Sequence, residues 1–502
     1  MQLQQLFFLW PEAKNHFTAE SYVLGISQDS RKIKPGFVFV AIVGHKNDGH
    51  DHLEGAISNG ALGLVVQDLN CVPQDYRGFV LKVPNTQSTL SFLATHFYGH
   101  PSQSLYCIGV TGTNGKTSTT LMIEWILNQN SMPCSVIGTI DRHFQGTHFE
   151  THLTTPDPLE LQQNLAEFQK LGAKALAIEV SSHALDQNRV DGIAFDVAVF
   201  TNLTQDHLDY HKNLENYFLA KERLFREHLL RTLKPNPWAI VNVDDSYGRR
   251  IRLAERVQVI TYGERASDLR YEVLESDFAG TQFRVTYDDE IFEGRLPMIG
   301  RHNIANAVAA LAVGVSLKFS IKDMIQSLAS FPGVPGRLQR ASFPFQQAVF
   351  VDYAHTPDAL FQLLSAIQLV RGKKKNIKIH TVFGCGGDRD RAKRPLMFEK
   401  ANQMSDFVYV TSDNPRTEDP EKIIRDILGP NQKISSFNGV WIDQKIYVHT
   451  DRKTALREAL SKSQLDDVVL IAGKGHENYQ IVGKEKLHFS DVEEVQKFFE
   501  AR

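Results

Sequence analysis

Between residues 101 and 335, apolar runs of strand length alternate with segments of helical period. "LYCIGVTG", "ALAIEV", "DVAVFTN" and "PWAIVNVD" are strand-like, while "TTLMIEWILNQN", "PLELQQNLAEFQKLG" and "NIANAVAALAVGV" repeat their apolar positions as helices do. Such alternation predicts a mostly parallel sheet with helices on both faces. The Pro/Gly-rich stretch "FPGVPGR" interrupts the pattern at 331–337. Beyond it, "AVFVDYAH", "IKIHTVFGCGGD", "DFVYVTSDNPR" and "DDVVLIAGKGHE" each run an apolar strand into a polar or glycine-rich loop, predicting a second doubly wound, Rossmann-like sheet. Residues 1–100 carry shorter runs, "GFVFVAIVG" and "ALGLVVQ", and end at "YGHPSQS", as a small α/β domain and linker would. "YEVLESDFAGTQFRVTYDDEIFEGRL" alternates apolar and polar residues and predicts an antiparallel insert. The expected architecture is α/β in three domains, at 1–100, 101–335 and 336–502.

Composition narrows the class without naming a function. A chain of 502 residues, 42% hydrophobic and 23% charged, exceeds a single core and fits several domains. The net charge of -3 supplies no global basic field, which argues against non-specific nucleic-acid or membrane-surface binding. Cys71, Cys107, Cys134 and Cys385 form no C-x-x-C pair and suit core thiols of a reducing compartment. No stretch reaches the roughly 18 apolar residues of a spanning helix, so a soluble cytoplasmic protein is expected.

Chemistry first shows at "VTGTNGKTS", residues 110–118. A glycine-rich turn between strand and helix lets backbone N–H groups converge on phosphate oxygens, and the helix N-terminus adds partial positive charge. Lys116 would grip the β and γ phosphates of a nucleotide, and Thr117 would offer its hydroxyl to Mg2+. The loop is a variant, because Val110 stands where the usual phosphate-loop pattern has glycine, with Gly112 and Gly115 instead. Two further strand ends are unusually polar. "AIEVSSHALDQNRV" puts Glu179 at the mouth of a buried strand, where an uncompensated carboxylate costs several kcal/mol and a metal would offset that. "TNLTQDHLDYH" gathers Asp206, His207, Asp209 and His211 as candidate hard ligands or bases. In doubly wound sheets such strand ends meet at one crevice.

Taken together, "GTNGKTS", "EVSSHALDQNRV", "TNLTQDHLDYH", "GRHNIANAVAA", "DYAHTPDAL", "FGCGGDRDRAKRP", "SDNPRTEDP" and "GKGHENYQ" resemble, in order and approximate spacing, the Mur ligase family, ATP-dependent amide-forming enzymes of bacterial cell-wall precursor synthesis. The resemblance covers essentially the whole chain. It implies that the D-glutamate carboxylate of UDP-MurNAc-L-Ala-D-Glu attacks the γ-phosphate of ATP to give an acyl phosphate, which the incoming amine displaces. Bringing a carboxylate to a triphosphate opposes like charges, so Mg2+ and lysines must neutralise the site.

The same resemblance implies roles for single residues. Gly112, Thr113, Asn114, Gly115, Lys116, Thr117 and Ser118 would hold ATP phosphates. Glu179 and His207 would hold a second Mg2+. Lys221 reads from sequence alone as a solvated helix lysine; the family lysine at its position is carbamylated by CO2 and would orient that ion. Gln28, Ser30, His45, Lys46 and Asn47 fall where the family holds uridine and diphosphate, and Leu153, Thr154, Thr155, Ser181, Gln187 and Arg189 where it holds sugar and peptide. Asn303 and Asn306 lie about one turn apart on one helical face and suit an adenine edge, with helix capping by Asn303 as the alternative. Asp352 and His355 would reach the nucleotide when the domains close.

The added amino acid turns on "TSDNPR". Arg416 offers a planar fork for a carboxylate, Asn414 adds amide hydrogen bonds, and Asp413 and Pro415 complete the motif that in the family accompanies meso-diaminopimelate. An arginine left unpaired by lysine would reject that substrate. Arg389, Gly473 and Glu477 would complete the pocket, Glu477 facing the distal ammonium. An Asx-Pro turn is the plainer reading of DNPR. "GCGGDR" looks like a dinucleotide fingerprint, but Arg389 occupies its third glycine position, and NAD binding is rejected.

Lysine addition is the nearest rival, followed by folylpolyglutamate synthesis, which would not need the domain before the phosphate loop. A non-ligase phosphate-loop NTPase is the rival of another class; no N-K-x-D marks a GTPase. The partners expected are small molecules, with no nucleic acid and no membrane insertion, and a monomer.

Overall fold

A computed structural model describes residues 1–8, 10, 22–44, 47–149, 151, 153–341, 347–372, 376–430, 434 and 436–501. The chain falls into two compact units: Met1–Tyr271 with Thr286–Glu290 and Ala305–Met324, and Glu272–Val285 with Ile291–Ile304 and Ile325–Arg502.

The first unit opens with a small parallel sheet in the order β1 (Gly25–Ser27), β2 (Phe37–Val40), β3 (Gly63–Val66), β4 (Phe79–Lys82). Its larger sheet contains β5 (Tyr106–Thr111), β6 (Cys134–Ile137), β7 (Arg142–Phe144), β8 (Thr147–Phe149), β9 (Ala175–Glu179), β10 (Val197–Phe200), β11 (Trp238–Asn242) and β12 (Gln258–Gly263), in the order β12-β11-β10-β5-β9-β6-β7-β8. From β12 to β6 the pairing is parallel. Its central strands are buried along all but the first residue of β5, which is why they read as near-continuous apolar runs. The helix Pro158–Leu171 shows how locally the sequence sets its elements. Asp157 caps it by accepting from the N–H groups of Leu159 and Glu160, Pro158 opens it, and Gly172 closes it in the left-handed region.

β5 lies between β9 and β10, and the chain order turns about it, so the crevice of a doubly wound sheet opens at its carboxyl end. Registers fix the level: Val110 pairs with Glu179, and Thr111 with Phe200.

The alternating segment forms three strands in consecutive order, β13 (Leu269–Asp277), β14 (Gly280–Tyr287) and β15 (Glu290–Leu296). Neighbouring strands joined by two-residue turns can run only antiparallel, as the alternation predicts. The antiparallel extension β6-β7-β8 has no counterpart in the sequence expectations. Its strands of three or four residues are too short to show a period.

In the second unit, β16 (Gln339–Arg340), β17 (Ala348–Asp352), β18 (Ile379–Phe383), β19 (Phe407–Val410), β20 (Asn438–Ile442), β21 (Ile446–His449) and β22 (Val468–Ala472) form a sheet ordered β16-β17-β22-β18-β19-β21-β20. It is parallel from β17 to β21 and antiparallel at both edges. Asp352 and Phe383 both pair with Ala472, and Phe383 with Val410, so four strand ends stand level. A hairpin, β23 (Tyr479–Val482) with β24 (Glu485–His488), follows β22.

Three cysteines are buried, as core thiols should be; Cys71 is exposed and corrects that reading, since it ends a surface turn, Leu69–Cys71. No helix among the described residues is long and apolar enough to cross a membrane.

Candidate active site

The loop after β5 is folded onto the segment that follows β10. Thr113 N–H donates to the Asn202 carbonyl at 2.8 Å, and Asn114 N–H to Asn202 Oδ1 at 2.9 Å. In return Thr201 Oγ1 donates to the Asn114 carbonyl at 2.6 Å, and Thr204 N–H to Thr113 Oγ1 at 3.0 Å. The glycines permit this closeness. A Cβ on Gly112 would stand 1.9 Å from Thr201 Oγ1, and one on Gly115, at φ +86°, would stand 2.3 Å from Asn306 Oδ1. Gly115 is the residue before the helix Lys116–Gln129, whose first turn carries Thr117 and Ser118.

Two lysines converge on one carbonyl. Lys116 Nζ donates to Gly112 O and to Thr113 O, both at 2.9 Å, and Lys221 Nζ donates to Gly112 O at 2.8 Å. Lys221 is 1% exposed, which overturns its reading as a solvated helix residue. The helix Leu214–Arg223 turns it inward with Tyr217, whose ring lies 4.5 Å from the ammonium. Burial, then the neighbouring Lys116 charge, holds the Lys221 pKa well below its ordinary value, with Asp206 opposing.

Glu179 ends β9 and is 1% exposed. Its carboxylate accepts from Thr139 N–H at 2.8 Å and from Thr139 Oγ1 at 3.0 Å. Among the described residues no lysine, arginine or histidine pairs with it, so the anion is hydrogen-bonded but not neutralised. That donor set fits a hard divalent cation. His207, half-exposed in the left-handed region at φ 52°, packs its ring against His183 and Tyr217. Thr117 in the first turn of its helix, Glu179 and His207 offer donor atoms that could hold Mg2+.

A polar chain runs on from Glu179. Thr139 Oγ1 meets Thr154 Oγ1 at 3.1 Å; Thr155 Oγ1 donates to the Glu179 carbonyl at 2.8 Å and accepts from Ser181 N–H at 3.1 Å; Arg189 donates to the Thr155 carbonyl at 2.9 Å and to Gln187 Oε1. Gln28, Leu153, Gln187 and Arg189 line one cleft of about 200 Å3 with Gln87 and Asp157. The structure thus brings together residues from the strand ends of both sheets of this unit. Ser30 stands apart from that cleft's lining, in the turn Ser30–Lys32, and Asn47 is exposed. His45 and Lys46 lie outside the described residues. Asn303 sits inside the helix Arg301–Ser316, its amide donating back to the Ile299 carbonyl at 2.8 Å, so it is not the helix cap; Asn306 is buried on the same helix.

In the second unit the predicted residues follow β17, β18, β19 and β22. Asp352 accepts from Leu338 N–H at 2.7 Å and Ala354 N–H at 2.8 Å, and burial pushes its pKa up. His355 is exposed. The glycines of "GCGGD" serve close approach to the DNPR loop: Gly387 N–H donates to the Asn414 carbonyl at 2.9 Å, and a Cβ there would stand 1.9 Å from the Pro415 carbonyl oxygen. Arg416, at φ 51°, donates Nη1 to the Gly387 carbonyl at 2.9 Å, and hairpin β23-β24 holds its backbone through Ile481 and Gly483. Arg389 and Arg416 both flank Gly386, Arg389 from the exposed side. Asn414 Nδ2 donates to Glu477 Oε2 at 2.9 Å. Gly473, at φ +117°, lets Asp413 approach; a Cβ would stand 2.6 Å from Asp413 Oδ2.

Sequence reasoning passed over several residues here. Lys474, fully buried, meets both Asn414 Oδ1 and Glu477 Oε2 at 3.3 Å, so Glu477 already faces an ammonium of the chain itself. Lys474 stood inside the motif "GKGHE", between two chosen positions. Thr139 and Arg452 carry no motif. Arg452 pairs with Asp491 through two 2.8 Å bonds, both side chains fully enclosed, and donates to the carbonyls of Ser412 and Ala472, the residues just before the DNPR and GKG loops.

Comparison with known proteins gives the class. The sequence matches the Mur ligase family catalytic domain over residues 23–98, the Mur ligase middle domain over 110–314, and the Mur ligase glutamate ligase domain over 336–475. The chain belongs to the Mur ligase family, ATP-dependent ligases of peptidoglycan precursor synthesis, and has that family's three-domain α/β fold. It is 41% identical over 485 residues to the UDP-N-acetylmuramoyl-L-alanyl-D-glutamate–2,6-diaminopimelate ligase of Synechocystis sp., covering 95% of this chain and 92% of the relative. The enzyme of that name from Coxiella burnetii is 40% identical, with 97% and 98% covered. A solved structure of a ligase of that name superposes with a TM-score of 0.72 at 31% identity, covering 100% of this chain and 99% of the other.

Proposed function

We propose that this chain adds meso-diaminopimelate to the D-glutamate carboxylate of UDP-MurNAc-L-Ala-D-Glu at the expense of ATP. The observation that carries the reading is Arg416, a guanidinium anchored by one nitrogen to the Gly387 carbonyl beside Asn414 and Glu477, in a chain about 40% identical to diaminopimelate ligases along nearly its whole length. A planar fork and a neighbouring carboxylate suit an amino acid whose far end carries both a carboxylate and an ammonium.

In this reading residues 1–100 hold the uridine diphosphate, 101–335 the ATP and dipeptide, and 336–502 the amino acid. Lys116 moves from its own loop carbonyls to the β and γ phosphates, while the loop N–H groups cradle them. Gln28, Gln187, Arg189 and the threonines 154 and 155 orient the sugar peptide so that its carboxylate meets the γ-phosphorus. A P–O bond forms there, ADP leaves, and the acyl phosphate is then attacked by the amine, which loses a proton as phosphate departs. Mg2+, when bound by Thr117, Glu179 and His207 at two sites, supplies the charge neutralisation that lets two anions approach. Lys221 fits carbamylation: burial favours its neutral amine, the form that bonds to CO2 with loss of a proton, and the carbamate would put an anion in place of that amine, able to help hold the second Mg2+. Small charged substrates of this kind, which do not cross a membrane unaided, suit a cytoplasmic enzyme.

Phosphate release with the UDP-sugar dipeptide and either meso-diaminopimelate or L-lysine tests the reading. Diaminopimelate should support turnover, lysine should not, and Arg416→Ala should lose the diaminopimelate activity. Equal use of lysine overturns the assignment.

A further inference from the structure

At one edge of the larger sheet, the hairpin β7-β8 carries a group that none of the roles above employs. Its turn, Gln145 at φ 47° and Gly146 at φ 82°, has both central residues left-handed, the geometry that matches the twist of a two-residue hairpin and fixes its register. That register sets His143 opposite His148, their rings 5.1 Å apart, and Asp141 shares the face of His143 two residues earlier. Each imidazole points its Nδ1 at a different oxygen of Asp141, both at 2.6 Å. Among the described residues, Asp141, His143 and His148 are a group whose ligand atoms all lie within 4.8 Å of one another.

We propose that Asp141, His143 and His148 bind a divalent transition-metal ion of the zinc class. A tetrahedral ion with bonds of about 2.0–2.2 Å spaces its ligand atoms about 3.5 Å apart, which falls between the 2.6 Å of the two contacts to Asp141 and the 4.8 Å that bounds the group. Two imidazoles and one carboxylate select zinc-like ions over magnesium, whose preference is for oxygen alone. The surroundings also have the form of such a site. The other ring nitrogen of His143, Nε2, lies 3.0 Å from Glu124 Oε1 on the helix Lys116–Gln129, the carboxylate partner that fixes the tautomer and orientation of a ligating histidine. Asp141 and His143 are largely covered, with side-chain exposures of 22% and 12%, while His148 is 58% exposed and leaves one side open to water or an exchanging ligand. The sequence signal is D-x-H-x4-H, which a strand period of two and a tight turn bring to one face.

The test uses the full chain, stripped with chelator and titrated with Zn2+ alone by calorimetry in saturating Mg2+, so that oxygen-rich magnesium sites do not take part. The wild type should bind one equivalent that His148→Ala loses, and Glu124→Gln should weaken binding about 10- to 100-fold. Co2+ should give the intense visible bands of a four-coordinate site in the wild type and not in His148→Ala. His148 is exposed, so its variant should fold even if changes at His143 do not. Zn2+ uptake that is absent, or equal in stoichiometry and affinity in wild type and His148→Ala, overturns the proposal and leaves the group a hydrogen-bonded charge cluster.

Discussion

The loop after β5 and the loops after β18, β19 and β22 do the same task, holding polar groups rigidly at strand ends, by different means. The first is secured through its own backbone, by bonds with the hydroxyls and amides of Thr201 to Thr204 and from the ammoniums of Lys116 and Lys221, and by glycines that admit a second chain segment. The others are secured by charges: Arg452 with Asp491, Lys474 with Glu477, and Arg394 with Glu418 and Asp426. A loop held by its own backbone fails when its shape is changed. One held by buried ions fails when a charge is lost.

The largest effect should follow from Arg452→Met. It removes two bonds to Asp491 and the donors to the Ser412 and Ala472 carbonyls while leaving Asp491 enclosed without its cation. Breaking a buried pair from one side costs about 3–5 kcal/mol. Thermal unfolding should show that loss, and Arg452→Met combined with Asp491→Leu should recover much of it. A single variant as stable as the wild type would remove the distinction between the two kinds of loop.

Gly112→Ala comes next and strikes the other loop. Its new methyl would overlap Thr201 Oγ1 and push the carbonyl on which Lys116 and Lys221 rest. Displacing reacting groups by about an ångström costs on the order of 10²-fold in rate. ATP turnover should fall by that much while the thermal unfolding of the chain shifts little. A large loss of stability with normal turnover per folded molecule would show that the glycine serves packing alone.

What could be read beforehand follows the same division. The phosphate loop was legible because its chemistry lies in consecutive residues: Gly112, Gly115, Lys116 and Thr117 declare strand, turn and helix in one short stretch. The inner strands β5, β9, β10 and β11 of one large sheet and β17, β18, β19 and β22 of the other were legible because burial on both faces leaves unbroken apolar runs, as in "ALAIEV". Lys221 was legible only through the family resemblance, because a lysine on a helix gives no sign of which way the helix turns it, and its place beneath Gly112 reveals the buried amine. Arg452 and Asp491 are separated by 39 residues and mean nothing until the fold joins them. Thr139 escaped notice because its partner, Glu179, stands 40 residues on, across the sheet.

The smallest effect concerns a single charge and separates the loops by pH. Glu418 accepts from buried Arg394 and from Asp388 N–H, so it braces the GCGGD loop, and Arg394 also donates to the Gly386 carbonyl. The hydrogen bond from Arg394, foremost, holds the Glu418 carboxyl at about 2, against 4.5 for an ordinary glutamate. A depressed folded-state pKa gives stability that is present in full above 4.5 and lost as the pH falls through about 2. The melting temperature of the wild type should therefore exceed that of Glu418→Gln most above pH 4.5, with the gap closing as the solution is acidified toward pH 2. No such narrowing is expected between wild type and Thr201→Val, because the Thr201 hydroxyl donates to the Asn114 carbonyl and neither group titrates in that window. If the Glu418→Gln difference stays constant across that window, the carboxylate is not what steadies the loop, and the division between the two kinds of bracing fails at this pair.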